Sequence, residues 1–289
     1  MDSIRTSSAT RMGRRLPLES GSFVSQTKCE DDGPSFNRRT DQGMIDLHCH
    51  ILPGVDDGPT NLQESLKLAR FCVADGITVV TATPHCHRLI HLLRADILPH
   101  VKAFNQELKS AGIPLTVLPG SEIQVYDSSI YRREFEEDVF CHLGDQRSFT
   151  LLEFNWMVSL FPRDAAELIQ WIRDKGMTPI VAHPERHDFF RERPDLAQPL
   201  VEAGAWLQIT VDSLLGNFGP EARAFGEHFL RTYQDVILAT DAHNTKRCSG
   251  LSAGYRWVEQ YVGAARAQDL FDRADRVRAS LLRESIPEQ

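Results

Sequence analysis

The sequence predicts an α/β fold, a (β/α) barrel of about seven units, and two observations carry that expectation. From Met44 onward, short apolar runs alternate with longer stretches of helical periodicity, about seven times and without an internal repeat. Strands alternating with helices imply a parallel sheet, and such a sheet closed on itself is a barrel. The second observation is that six of the apolar runs end in His, Asp or Glu. Barrels of this class carry their reactive groups at the C-terminal ends of the strands.

The first strand spans residues 44–48 and enters a Gly/Pro loop, Pro-Gly-Val-Asp-Asp-Gly-Pro, which offers Asp56 and Asp57 as hard oxygen ligands. His48 and His50 are two apart in an extended chain, so both face one side while Cys49 points away. Thr60 and Gln63 have capping-box spacing, and Leu62, Leu66, Ala69 and Val73 form the stripe of a helix that stops at Asp75-Gly76. A second strand, 77–83, ends in Thr-Pro-His-Cys-His, and a helix over 94–111 follows. The third strand, 115–118, ends in Pro-Gly-Ser-Glu-Ile and leads into an acidic, irregular stretch, 126–146. Strand four, 149–154, contains Glu153 and precedes a helix over 163–175. Strand five, 178–182, ends in His-Pro-Glu-Arg, with a short helix over 194–203 behind it. Strand six, 205–211, carries Gln208 and Thr210 and is followed by a helix over 220–233. Strand seven, 236–240, ends in Asp-Ala-His-Asn, and helices over 254–262 and 267–282 close the chain.

Residues 1–43 differ from the rest: rich in Ser, Thr, Arg, Asp and Gly, with little apolar periodicity, they read as a disordered extension to a domain over 44–289. Arg14-Arg15 is not followed by the apolar run an export signal needs. The functional chain is expected to begin at or near Met44, with the extension accessory or the product of an upstream start. The 289 residues, 42% hydrophobic and 25% charged, suit a soluble enzyme with a sizeable core. A formal charge of -8 argues against a nucleic-acid partner, and no apolar run is long enough to span a bilayer. Six scattered cysteines without a CxxC pair read as reduced thiols of a cytoplasmic protein.

The strand ends hold His48, His50 and loop Asp57; then His85, with His87 nearby; Glu122; Glu153; His183; and Asp241 with His243. One His-x-His alone reads as a solvated hairpin. Recurrence at strand after strand reads as a polynuclear metal site. Imidazole and carboxylate donors without thiolate suit Mn, Fe, Zn or Mg. Asp57, Glu122, Glu153 and Asp241 bring four negative charges; two divalent ions balance them, and a third leaves a net positive pocket for a phosphate dianion. Arg186, three residues after His183, offers a fork for phosphate oxygens, and Arg247 approaches from the other side. A rival is Cys141-His-Leu-Gly-Asp-Gln-Arg147, which has the Cys-x5-Arg spacing of thiol phosphatases. Its single glycine, its Asp145 and the acidic residues before it oppose a low-pKa thiol and a phosphate cradle.

Taken together, Met-Ile-Asp-Leu-His-Cys-His with Val-Asp-Asp-Gly-Pro, Ala-Thr-Pro-His-Cys-His, Gly-Ser-Glu-Ile, Leu-Leu-Glu-Phe, Ala-His-Pro-Glu-Arg and Thr-Asp-Ala-His-Asn resemble the PHP superfamily. Within it the chain resembles the bacterial manganese-dependent tyrosine phosphatases of capsule and exopolysaccharide operons, the CpsB/CapC/YwqE type. The resemblance implies a distorted (β/α)7, TIM-like barrel with three metal ions, manganese in this family. By motif, His48, His50, Glu122 and Asp241 would hold one ion; Glu122, Glu153 and His183 a second; Asp57, His85 and His243 the third. Arg186 matches the family's phosphate-binding Arg. The family's second Arg falls here on Cys248, so Arg247 fills that place only if the loop is one residue shorter.

The implied reaction is hydrolysis of phosphotyrosine on a protein, with a bacterial tyrosine autokinase of capsule or exopolysaccharide export as the partner. The phosphate spans the metals under Arg186, and a metal-activated water attacks in line. The leaving tyrosinate, with a pKa of about 10, needs less protonation than an alkoxide. The pattern assigns no general acid, and His87 is a candidate. Two other readings stay open: a related phosphoesterase such as a histidinol-phosphate phosphatase, and a non-catalytic module that docks on the kinase. The acidic stretch 126–146 reads either as a solvated insert or as a docking surface.

Overall fold

The computed structural model describes residues 43–283 apart from 88, 89, 91 and 247; the extension expected over 1–43 lies, Gly43 excepted, outside the described residues. The described residues hold nine strands: β1 Met44–Cys49, β2 Ile77–Ala82, β3 His85–Cys86, β4 Thr116–Pro119, β5 Glu122–Val125, β6 Phe149–Phe154, β7 Thr178–Ala182, β8 Trp206–Thr210 and β9 Val236–Ala239. Every pairing between them is parallel, in the orders β1-β2-β4 and β3-β5-β6-β7-β8-β9.

The two sheets are sections of one wall. Register carries across the break, with Ala82 opposite Pro119 in the first section and His85 opposite Glu122 in the second. Thus β3 continues the path of β2, and β5 that of β4; nine strands less two continuations leave seven paths. The interruption falls at Pro84, which has no N–H to give a ladder, and at Gly120 on the neighbouring path. A Cβ on Gly120 would lie 2.7 Å from Thr81 Cγ2, so glycine is what lets the two kinked paths stay close. On the far side β9 returns to β1: the Asp241 N–H donates to His48 O and the His50 N–H to Ala242 O, each at 2.9 Å. Buried Asp46 adds to this seam, accepting from the Thr240 N–H at 3.1 Å and from its hydroxyl. The seven-path barrel expected from the sequence is therefore the observed architecture.

Apolar side chains fill two regions. Ile45, Leu47, Val79, Leu118, Leu151, Ile180 and Ile237 cluster with Ala274, Val277 and Leu281 of the last helix, Ala264–Arg283, which plugs the end away from the strand termini. The larger cluster lies between the strands and the surrounding helices and includes Cys49, Cys72, Val80 and Val181. The register of β1 shifts between Asp46 and Cys49, where three steps on β1 match two on β2. This bulge lets consecutive Leu47 and His48 both turn inward, and it sends Cys49 outward.

Two local expectations change. The first helix, Leu62–Asp75, is capped one residue later than the Thr60/Gln63 spacing implied: Asn61 Oδ1 accepts from the Glu64 N–H at 3.1 Å. The Glu64 carboxylate reaches back to Thr60 N and Oγ1, both at 2.9 Å. Within the stretch 126–146, read as irregular, a helix forms over Ser128–Glu136. Asp127 caps it, and it buries Tyr131 and Phe135, a stripe too short to stand out among its charged neighbours. Among the described residues no helix is long and apolar enough to cross a membrane.

Candidate metal centre

The strand ends converge on a cleft of about 160 Å³ lined by Asp57, His85, Glu122, Glu153, Trp156, His183, Arg186, Asp241 and His243. His48 and His50 lie in its floor, buried, with their Nε2 atoms 3.2 Å apart. His48 Nδ1 lies 2.9 Å from Gln208 Oε1, and His50 Nδ1 lies 2.7 Å from Asp56 Oδ2. Each Nδ1 faces an acceptor and so carries the proton, which leaves the two Nε2 lone pairs aimed at the same space. Asp241 Oδ1 stands 3.2 and 3.4 Å from them, and Glu122 Oε2 3.4 Å from both.

Glu122 is the hub. Oε2 also lies 3.0 Å from His85 Nδ1, and Oε1 lies 2.8 Å from His183 Nε2. Glu153 Oε1 is 4.0 Å from the same His183 nitrogen. On the other flank, Asp57 Oδ1 is 3.4 Å from His85 Nε2 and 3.3 Å from His243 Nε2. Donor atoms lie within 4.8 Å of one another in overlapping groups: His48, His50 and Glu122; His48, His183 and Asp241; His85, Glu122 and Glu153; and Asp57, His50, His85 and His243.

These donors fit divalent cations. Glu122 Oε2 is buried without a hydrogen-bond partner, although three imidazole nitrogens surround it. Such a carboxylate is costly to bury unless something positive sits beside it. Without metal, protons take that place. His48 is buried, but the Glu122 and Asp241 charges outweigh the burial and raise its pKa. His50 is raised for the same reasons by Asp241, Asp56 and Glu122. His85, also opposed by burial, is pushed up to about 10 by Asp57 and Glu122. Burial and the neighbouring Glu122 charge push Glu153 up to about 7.

The backbone is bent to serve the site. His183 (φ 32°, ψ 52°) and Asp241 (φ 51°) both occupy the left-handed region that non-glycine residues rarely adopt. The His183 turn is tied down by Glu185, a buried carboxylate that accepts from the Thr210 N–H at 3.0 Å and from Ser213 Oγ at 2.7 Å. That turn delivers Arg186, whose Nη1 pairs with Asp241 Oδ2. Its guanidinium lies 4.2 Å from the Phe218 ring centre. Arg247 lies outside the described residues. His87 stands beside His85, ring centres 5.1 Å apart.

The Cys141–Arg147 segment forms no phosphate cradle. Cys141 is fully buried and its thiol pKa is raised by burial and by Asp145. Arg147 faces away to Asp138 at 2.7 Å, and Asp145 pairs with Arg94.

A family model described as capsular polysaccharide synthesis, CpsB/CapC, matches residues 44–277. The chain belongs to the CpsB/CapC family. It is 38% identical over 208 residues to the tyrosine-protein phosphatase YwqE of Bacillus subtilis, covering 70% of this chain and 78% of that protein. It is 32% identical over 210 residues to a putative tyrosine-protein phosphatase, CapC, of Staphylococcus aureus, covering 70% and 77%. A crystal structure from a study of YwqE from Bacillus subtilis and CpsB from Streptococcus pneumoniae, described as unique metal-dependent tyrosine phosphatases, superposes with a TM-score of 0.74. That match has 35% identity and covers 80% of this chain and 93% of that one.

Three residues of this CpsB/CapC chain have roles that escape sequence reading, and a fourth, Asp56, read from the sequence as an oxygen ligand, lies instead against His50 Nδ1. Gln208 holds the other floor histidine, His48, yet an amide carries no distinctive spacing. His187, four residues after His183, is buried within reach of His183 and Glu153. Trp156, three residues after Glu153, donates its Nε1–H to Glu153 Oε1 at 2.9 Å.

Proposed function

We propose that this chain is a metal-dependent protein-tyrosine phosphatase of capsule or exopolysaccharide synthesis, with residues 44–289 as its single catalytic domain. The observation that carries the reading is the pair of opposed Nε2 lone pairs of His48 and His50, 3.2 Å apart over the Glu122 carboxylate, in a chain of this family. His48, His50, Glu122 and Asp241 would hold one ion, Glu122, Glu153 and His183 a second, and Asp57, His85 and His243 a third, with manganese as the proposed metal. Divalent ions there supply positive charge for the phosphate and acidify water near neutral pH.

The chain's own residues do the rest. Gln208 and Asp56 fix the tautomers that turn both floor imidazoles toward the ions. Asp241 anchors Arg186 at the lip of the cleft, where a guanidinium can take two phosphate oxygens and hold the ester for in-line attack. Arg247 is proposed as a second phosphate contact, and His87 remains a candidate proton donor to the leaving oxygen. The proposed substrate is a phosphorylated tyrosine autokinase of polysaccharide export. The five free cysteines among the described residues support a reducing, cytoplasmic setting.

The deciding test uses metal-stripped protein, a phosphotyrosine peptide and histidinol phosphate, before and after manganese, beside a His48→Ala/His50→Ala variant. Expected is hydrolysis of the peptide that manganese restores, the variant lacks, and histidinol phosphate does not match in kcat/KM. Activity indifferent to chelation would overturn the metal reading. Histidinol phosphate as the better substrate would overturn the tyrosine reading.

A further inference from the structure

Every residue lining the cleft is a candidate metal ligand or Arg186, with one exception: Trp156. From this we infer that Trp156 is the wall that reads the aromatic ring of the substrate, and so makes the site selective for aryl over alkyl phosphates. The inference rests on the phosphatase reading above and adds the residue that sets substrate class.

Trp156 is held from several sides. Its Nε1–H is tied to Glu153 at 2.9 Å, and its ring stacks on His187 with centres 4.1 Å apart and planes 20° from parallel. The Arg186 guanidinium lies 5.5 Å from the ring centre. An indole fixed in this way would normally be buried, yet Trp156 is 44% exposed. Its ring also lies near-parallel to that of His183, with centres 5.7 Å apart, and Trp156 lines the cleft together with Glu153 and Arg186. Single exposed apolar residues need no explanation. Here Met157 and Leu160, at 61% and 42% exposure, follow within four positions, so the segment that brings Trp156 to the cleft carries most of the large exposed apolar side chains among the described residues.

A phosphate monoester held by Arg186 in this cleft would bring its organic group within reach of Trp156, which lines the same cleft. An alkyl chain gains little there. A phenyl ring gains an offset or edge contact with the indole. Aromatic contacts of this kind are worth about three- to tenfold in binding. The hydrogen bond to Glu153 matters because it sets the ring's angle without spending the exposed surface.

Two variants separate the ring from the hydrogen bond. Trp156→Phe keeps an aromatic surface and removes the donor; Trp156→Gln offers an N–H donor and removes the surface. The readout is competitive inhibition of the manganese-loaded protein by phenylphosphonate and by methylphosphonate, which are not hydrolysed. Metal content and melting temperature are measured on the same samples. Expected is a preference of about three- to tenfold for phenylphosphonate in the natural protein and in Trp156→Phe. In Trp156→Gln that preference should vanish while the methylphosphonate constant holds. Both inhibitors weakening in parallel, or metal content falling in step with selectivity, would mean Trp156 acts only through Glu153 and would overturn the inference. So would a natural protein that hydrolyses phosphotyrosine peptide yet shows no phenyl preference. A natural protein that neither hydrolyses the peptide nor binds either phosphonate would overturn the phosphatase reading, and the inference with it.

Discussion

Asp56 Oδ2 sits 2.7 Å from Nδ1 of His50, and its other oxygen accepts the Gly58 N–H at 3.0 Å. Asp56 is thus clamped by the loop, and it clamps the ring. With Nδ1 donating to Asp56, Nε2 is the nitrogen His50 turns to the cleft, free to bind a metal ion once its own proton is displaced. Asp56→Ala should therefore leave the fold intact and weaken metal binding by about 10- to 100-fold, the usual effect of removing a carboxylate behind a metal-binding His. Metal titration of stripped protein checks this; unchanged affinity would mean Asp56 serves the loop alone.

The protons that stand in for metal make stability depend on pH. His85 is opposed by burial, yet Asp57 and Glu122 push it up to about 10 from an ordinary 6.5. Because its folded pKa is raised, the stability it contributes is fully present below about pH 6.5 and is lost as pH rises through about 10. His48 and His50 shift in the same direction. Metal-stripped protein should therefore melt lower at pH 9.5 than at pH 6.5, by an amount on the order of a few kcal/mol in stability. Added manganese at pH 7 must displace these protons, so a weakly buffered sample should acidify on titration. A melting temperature that does not fall over this range, with no proton release, would contradict the arrangement.

Arg186 should matter to the reaction more than to the metals. Its pairing with Asp241 orients the guanidinium, and its contact with the Phe218 ring at 4.2 Å supports the fork from behind. Arg186→Lys keeps the charge and gives up the two-point grip. A fall in kcat/KM of roughly 10²-fold is expected, comparable to loss of one transition-state donor elsewhere. Metal content measured in parallel should hold. If metal is lost together with activity, the role of Arg186 is to neutralise Asp241.

The barrel and the residues that converge at its strand ends are legible because both follow from local rules. Alternation of strand and helix does not depend on distant contacts, and His48, Glu122, His183 and Asp241 each sit at a strand end the periodicity marks. The groups behind them were not legible. Gln208 lies 160 residues from His48 in sequence, and its contact exists only because β8 curves back across the barrel. The same holds for the seam: Asp46 reads as an ordinary strand polar residue until β9 places Thr240 against it. The helix over Ser128–Glu136 was missed for the opposite reason. Its two buried aromatics are a local signal, drowned by the charges around them.

Cys141 offers the sharpest discrimination between chemistries. A thiol phosphatase needs a thiolate in a ring of backbone donors, with Arg closing the cradle. Here burial and Asp145 raise the thiol, its own carbonyl accepts from Ser121 Oγ at 2.8 Å, and Arg147 is spent on Asp138. Cys141→Ala removes a small buried side chain and should cost about 1 kcal/mol of stability. Activity per metal-loaded molecule should be unchanged, and an alkylating reagent should leave it unchanged in the folded natural protein. Loss of turnover in Cys141→Ala with metal content and melting temperature preserved would return the chemistry to sulfur.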